Sequence, residues 1–289
     1  MKFWQPQSLA EALDLKAQES EAVPLAGGTD LMVELNFDRR RPEALMDLTR
    51  VEELGRWHQD DGHIVLGPGV TYTRLLAELA PELPGLAIAS RTVGSPQIRN
   101  RGTIGGNLGT ASAAGDALPP LVAAGATIEV SSSEGVRTLP ISDFLVGAKR
   151  NALGPTELIT AIKVPRARGP QQFSKIGTRN AMVIAVCSFA LDVDSPARRV
   201  GTGIGSAGPI TIRAEAAERF LEDALEDKGL WESRSELPES IVAHFSELVP
   251  QAASPIDDVR GSAAYRRRAL AVLARRTLSW AWAEYQGRE

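Results

Sequence analysis

The chain has 289 residues, enough for two ordinary domains with a sizeable buried core, and its 43% apolar and 24% charged residues are usual values for a globular protein. A net charge of −4 excludes the strongly basic balance of a nucleic-acid binder. One cysteine, Cys187, and three histidines in dissimilar contexts, His58, His63 and His244, exclude an internal disulfide and a cysteine-ligated zinc or iron–sulfur site and argue against any metal site.

No window approaches about eighteen uninterrupted apolar residues, and the start Met1-Lys2-Phe3-Trp4-Gln5-Pro6 lacks the apolar stretch of a secretory signal. The expectation is a cytoplasmic protein without a membrane span. Ser8 to Ala17 carries Leu9, Ala12, Leu13 and Ala17 at helical spacing, with Ser8 as N-cap. Val23-Pro24-Leu25-Ala26 reads as a short strand entering the glycine pair Gly27-Gly28, and the helical run from Thr29 to Leu35 follows. Free amides at such a helix start favour an anion.

Ala44–Leu48 and His63–Gly67 are strand-like, with Asp61-Gly62 as a turn before the second. Thr71 or Thr73 caps a helix bearing Leu75, Leu76 and Leu79. A segment from Ile88 to Gly102, holding Arg91, Arg99 and Arg101, delivers a second glycine pair in Gly102-Thr103-Ile104-Gly105-Gly106-Asn107. Adjacent glycines allow positive φ and leave no Cβ, so the amides of both loops are expected to converge on one pyrophosphate-like group. Neither loop reads G-x-G-x-x-G, and no Gly-Lys-Ser/Thr follows, which disfavours the usual dinucleotide-binding and P-loop units.

Asp116 precedes an apolar stretch, Leu118 to Ala126, and reads either as a helix N-cap or as a carboxylate for a ribose diol. Thr127–Val130 and Glu157–Pro165 are strands, and Arg166-Ala167-Arg168-Gly169-Pro170 is the best domain boundary. Beyond it, Met182 to Val193 reads as one apolar strand, Gly201 to Gly208 as a glycine-rich turn region, Arg213 to Leu225 as a helix and Ser262 to Tyr285 as a closing helix. Arg39-Arg40-Arg41 reads as a solvated turn. The arginines Arg266–Arg268, Arg275 and Arg276 read as the wet side of the last helix.

The two glycine loops in their surroundings carry a resemblance. Leu25-Ala26-Gly27-Gly28-Thr29-Asp30-Leu31, Arg99-Asn100-Arg101-Gly102-Thr103-Ile104-Gly105-Gly106-Asn107 and Ala113-Ala114-Gly115-Asp116-Ala117-Leu118-Pro119-Pro120 closely resemble the FAD-binding subunit of molybdenum hydroxylases, the family of xanthine dehydrogenase and aerobic carbon monoxide dehydrogenase. The likeness runs on through Glu157-Leu158-Ile159, Phe173-Ser174-Lys175 and Gly208–Ala214 to Tyr265-Arg266.

That resemblance implies an α+β chain: a two-part FAD-binding domain of the vanillyl-alcohol-oxidase type over residues 1–168, with parts of about 1–55 and 56–168, and a smaller α+β domain over 169–289. It implies FAD contacts from Leu25, Ala26, Gly27, Gly28, Thr29, Asp30 and Leu31, from Thr103, Ile104, Gly105, Gly106 and Asn107, and from Val93, Asp116, Ile159 and Lys175. No His, Cys or Tyr stands in either loop or between Asn107 and Asp116, so the FAD is expected to be non-covalent. The family usually has an acidic residue where Val183 precedes Ile184-Ala185. The implied role is electron transfer in a heterotrimer with a large molybdenum–pterin subunit and a small [2Fe–2S] subunit, with a dimer of heterotrimers as a further level of assembly. Rival readings are a stand-alone FAD oxidase or dehydrogenase and a non-catalytic nucleotide-binding subunit.

Overall fold

The computed structural model describes residues 1–288 and contains three main sheets. The first is parallel, with Ala44–Asp47 between Lys2–Trp4 and Val23–Leu25. The helix Leu9–Gln18 connects its strands, and the Ser8 side chain caps that helix by accepting from the Glu11 N–H, as the sequence suggests. The second sheet is antiparallel, in the order Trp57–Asp60, His63–Leu66, Leu158–Pro165, Thr127–Ser132 and Gly135–Pro140. Asp61 and Gly62, both with positive φ, make its first hairpin turn.

The third sheet is antiparallel, in the order Gln171–Ile176, Cys187–Asp194 and Arg199–Gly205. Every residue of its central strand is buried, because both faces are covered. Helices Glu215–Asp227 and Ala263–Tyr285 pack on this sheet, and Glu239–Leu248 packs against both helices. Helices Pro84–Arg91 and Leu118–Ala124, from the first half of the chain, also pack on it. All seven residues of Leu118–Ala124 are buried, so this helix joins the two halves of the molecule. Pro119 and Pro120 fit its first turn, where the missing N–H groups have no helical partner to lose.

Two sequence expectations are corrected here. The stretch from Gly201 is not a turn: Gly201, Gly203 and Gly205 lie within the strand Arg199–Gly205. A Cβ on Gly201 would stand 2.0 Å from the Ala123 carbonyl oxygen, and one on Gly203 would stand 2.1 Å from the Pro119 carbonyl oxygen. These glycines are strand residues whose side chains are absent because a helix backbone takes their place. Nor does the apolar run from Met182 pair throughout, since the strand begins only at Cys187. Met182 has φ of 50°, which breaks the extended conformation.

The covered sheet also buries Asp192, whose partner across the hairpin is Gly201. Burial pushes its carboxyl up to about 6, although the Arg199 guanidinium 3.4 Å away pulls the other way. An unfolded aspartate titrates near 4. The stability drawn from protonated Asp192 is therefore full below about pH 4 and lost as the pH rises through 6. Asp192→Asn should raise stability at pH 7.5 by about 1–3 kcal/mol and flatten its dependence between pH 4 and 6. Guanidinium unfolding midpoints at about pH 4 and 7.5 measure this, and an unchanged pH slope would refute it.

Candidate functional site

The first glycine motif links the strand Val23–Leu25 to the helix Leu31–Asn36. Gly28 has φ of 75°, a conformation that L residues rarely adopt. Among the described residues, the N–H groups of Gly27, Gly28, Thr29 and Asp30 have no hydrogen-bond acceptor. Four consecutive free donors at a helix start suit an anion. Lys149 reaches this helix, donating to Glu34 at 2.7 Å and standing 3.8 Å from Asp30. It holds the Glu34 carboxyl below the usual range.

The second motif behaves differently from its sequence reading. Ile104, Gly105, Gly106 and Asn107 are not a loop but the first turn of the helix Ile104–Thr110, capped by the Thr103 hydroxyl at 2.9 Å from the Gly106 N–H. None of these glycines has positive φ. Their amides are taken, with Ile104 donating to Val70, Gly105 to Pro68 at 2.9 Å, and Asn107 to Thr103. A Cβ on Gly105 would meet the Pro68 Cβ at 2.2 Å, so the residue is small to let the helix touch the preceding turn. Free amides are thus a property of the first motif, and the second supplies close packing.

Packing brings the motifs together. A Cβ on Gly27 would lie 1.9 Å from the Arg101 carbonyl oxygen and 2.9 Å from the Gly102 Cα. The two motifs therefore touch through their backbones. Asn107 in turn lies against Gly115, whose Cβ would meet the amide oxygen at 2.7 Å. Asp116 follows directly. Its carboxylate makes no N-cap bond, which removes the capping alternative. Instead its Oδ2 accepts from Lys175 Nζ at 2.5 Å and from Thr92 at 3.2 Å.

The Asp116 Oδ1 and the Asn107 Oδ1 are both buried and lack any partner. Buried acceptors without donors are costly unless something fills the role, and here both belong to one cluster. Burial raises the Asp116 pKa and the Lys175 charge lowers it, with burial the larger effect. Lys175 also donates to the carbonyls of Thr92 at 3.0 Å and Val183 at 3.2 Å, so all three ammonium hydrogens are directed at protein acceptors.

The remaining sequence-derived residues are less central. Leu25 ends its strand, with Ala26 beside it and Leu31 opening the helix. Val93 packs on the central core and its carbonyl accepts from Arg99. Arg99 holds three consecutive-region carbonyls, those of Arg91, Val93 and Gly94, which makes it a brace for that turn. Ile159 is a core residue beside a β-bulge in the strand Leu158–Pro165. Val183 covers Gly177, where a Cβ would meet it at 2.2 Å. Cys187 is buried with its thiol pushed up to about 12 by burial, an unreactive core thiol.

Two features escaped the sequence reading. Thr92 completes the Asp116 pair, and a lone threonine before a glycine turn carries no signal for that. Tyr72 packs its ring 3.2 Å from where a Gly102 Cβ would stand. Burial foremost, and the Asp116 charge second, hold its phenol well above the usual pKa, so it stays protonated and offers no base.

The chain matches the family described as FAD binding domain in molybdopterin dehydrogenase over residues 1–167, and the CO dehydrogenase flavoprotein C-terminal domain over residues 172–281. It is 34% identical to the nicotinate dehydrogenase FAD-subunit of Eubacterium barkeri, covering 77% of this chain and 80% of that protein. It is 31% identical to the nicotine 6-hydroxylase medium subunit of Paenarthrobacter nicotinovorans, covering 96% of each. Among solved structures, quinoline 2-oxidoreductase from Pseudomonas putida 86 superimposes with a TM-score of 0.88 at 25% identity, over 99% of this chain and 98% of the other.

The packing role of the second motif is testable within one helix. Gly105→Ala should destabilise the protein by about 2–4 kcal/mol, because the methyl group meets backbone. Gly109→Ala, with nothing within 4 Å, should be neutral or stabilise by up to about 1 kcal/mol. Equal effects of the two in urea unfolding would contradict the assignment.

Proposed function

This chain belongs to the FAD-binding subunits of molybdenum hydroxylases, the family of carbon monoxide dehydrogenase and xanthine dehydrogenase, and on that footing we propose that it is the electron-exit subunit of such a complex. The observation that carries the reading is the run of four free amides at Gly27–Asp30, packed by Gly27 onto the Arg101–Gly102 backbone that leads into the Thr103–Asn107 motif. A pyrophosphate needs such donors and no positive side chain. The unpartnered Asp116 Oδ1 would accept from a ribose hydroxyl, and the unpartnered Asn107 Oδ1 would take a further donor of the same ligand. The donor set therefore fits FAD.

In this arrangement the flanks of the first motif, Leu25, Ala26 and Leu31, shape the loop, while Ile159 and Val93 supply apolar walls. Lys175 opposes the effect of burial on Asp116 and turns the carboxyl group, so that one oxygen is spent and the other is free. When bound, FAD would supply the redox chemistry, its capacity for one-electron and two-electron exchange suiting it to link iron–sulfur clusters to an external acceptor. The protein's work is binding and orientation. No side chain here acts as acid or base on an organic substrate, in keeping with the protonated Tyr72.

Molybdenum–pterin and [2Fe–2S] groups belong to partner subunits in this reading, since the one cysteine of this chain cannot ligate an iron–sulfur cluster. The assembly is a heterotrimer, and two heterotrimers pair. Among the described residues no helix is long and apolar enough to cross a membrane. The subunit is expected in the cytoplasm with its partners.

Purified protein should be yellow, and stripped protein should quench the fluorescence of added FAD. Asp116→Asn should weaken FAD binding by about tenfold to a hundredfold, the cost of one charge-assisted hydrogen bond. Copurification on a tag should bring molybdenum and iron. A metal-free flavoprotein that oxidises a small molecule unaided would support the stand-alone oxidase instead, and a protein that leaves FAD fluorescence unchanged would remove the cofactor assignment.

A further inference from the structure

We infer that the carboxy-terminal half, which carries neither glycine motif, sets the FAD affinity of the amino-terminal half by positioning Asp116 through a glycine track and Lys175. The inference rests on the FAD reading above and adds the means by which the site is assembled. The helix Leu118–Ala124 begins two residues after Asp116 and lies on the strand Arg199–Gly205. Gly201, Gly203 and Gly205 alternate along that strand and so share one face. Cβ atoms on them would stand 2.0 Å from the Ala123 oxygen, 2.1 Å from the Pro119 oxygen and 2.9 Å from the Pro119 Cγ. The track therefore fixes how near the helix comes to the sheet, along its whole length.

Lys175 acts at the end of the same sheet. Its ammonium group is almost fully buried and joins three segments, at Thr92, Asp116 and Val183. Ser206, next after the track, donates its N–H to the Ala113 carbonyl at 2.7 Å and ties down the turn that leads to Asp116. Asp116 is thus held from behind by the carboxy-terminal half, through main chain on one side and charge on the other. The free amides at Gly27–Asp30 are held by the amino-terminal half alone. A ligand spanning both groups reads the distance between the halves.

Hydrogen bonds weaken over a few tenths of an ångström, so a methyl group forced between strand and helix is felt at Asp116. Gly201, Gly203, Gly205 and Lys175 are positioning residues under this inference, since they act through Asp116.

The test uses the full chain and FAD itself, with affinity read from fluorescence quenching and folding from circular dichroism. Gly203→Ala and Lys175→Met should each weaken FAD binding about tenfold or more. In an Asp116→Asn background the same changes should add less than about twofold, because the group they act through is already lost. A merely structural loss would add in full in both backgrounds. If Gly203→Ala does not fold, the Lys175→Met cycle decides alone. Folded variants that bind FAD like the unmodified protein, or losses that add fully to that of Asp116→Asn, overturn the inference. An unmodified protein that binds no FAD overturns the cofactor reading instead, and that result needs no variant.

Discussion

Main chain lying directly on main chain is the constraint on which this molecule depends. At Gly27 against Arg101 and Gly102, at Gly105 against Pro68, and at Gly201 and Gly203 against the helix Leu118–Ala124, a Cβ would fall under 3 Å from backbone atoms. Side chains normally keep such elements further apart. Glycine removes that separation. The result is that segments remote in sequence meet through their backbones.

The cluster at Asp116 shows the energetic side of this arrangement. A carboxylate taken out of water is costly, and burial alone would favour its protonated form. Lys175 offsets that cost at 2.5 Å, with Thr92 adding a neutral hydrogen bond. One acceptor still stays unmatched, and so does the Asn107 oxygen beside Gly115. Structures rarely leave two such atoms bare in one place without a use for them. Cofactor binding is that use in the reading proposed here, and the pairing of Lys175 with Asp116 explains why the site draws on both halves of the chain.

Much of the local structure was legible. Ser8 caps the helix expected of it, Thr71 and not Thr73 caps the helix Tyr72–Glu78, and Asp61-Gly62 turns the hairpin. These are short-range effects of a side chain or a φ angle on its neighbours. The run at Gly201–Gly205 was not legible as strand, because composition suggests a turn wherever glycines crowd. Only their spacing of two, one face of a strand, carried the signal. The strands Lys2–Trp4 and Gln171–Ile176 were missed too, being short or only partly apolar.

The sequence by itself determined the family, because two glycine motifs, Asp116 and Lys175 stand in an order and spacing that resemblance can recognise without coordinates, and it pointed to candidate residues for the site. It also determined the free donors of the first motif, whose glycines precede a helix start. Tertiary structure decided what each glycine is for: positive φ at Gly28, close approach at Gly27, Gly105 and the strand track. It decided as well that Lys175 is spent on Asp116 and that Tyr72 and Thr92 belong beside it. The reason is range. Local conformation follows from adjacent residues, whereas the absence of a side chain has meaning only when the element that fills its place has arrived from elsewhere in the chain.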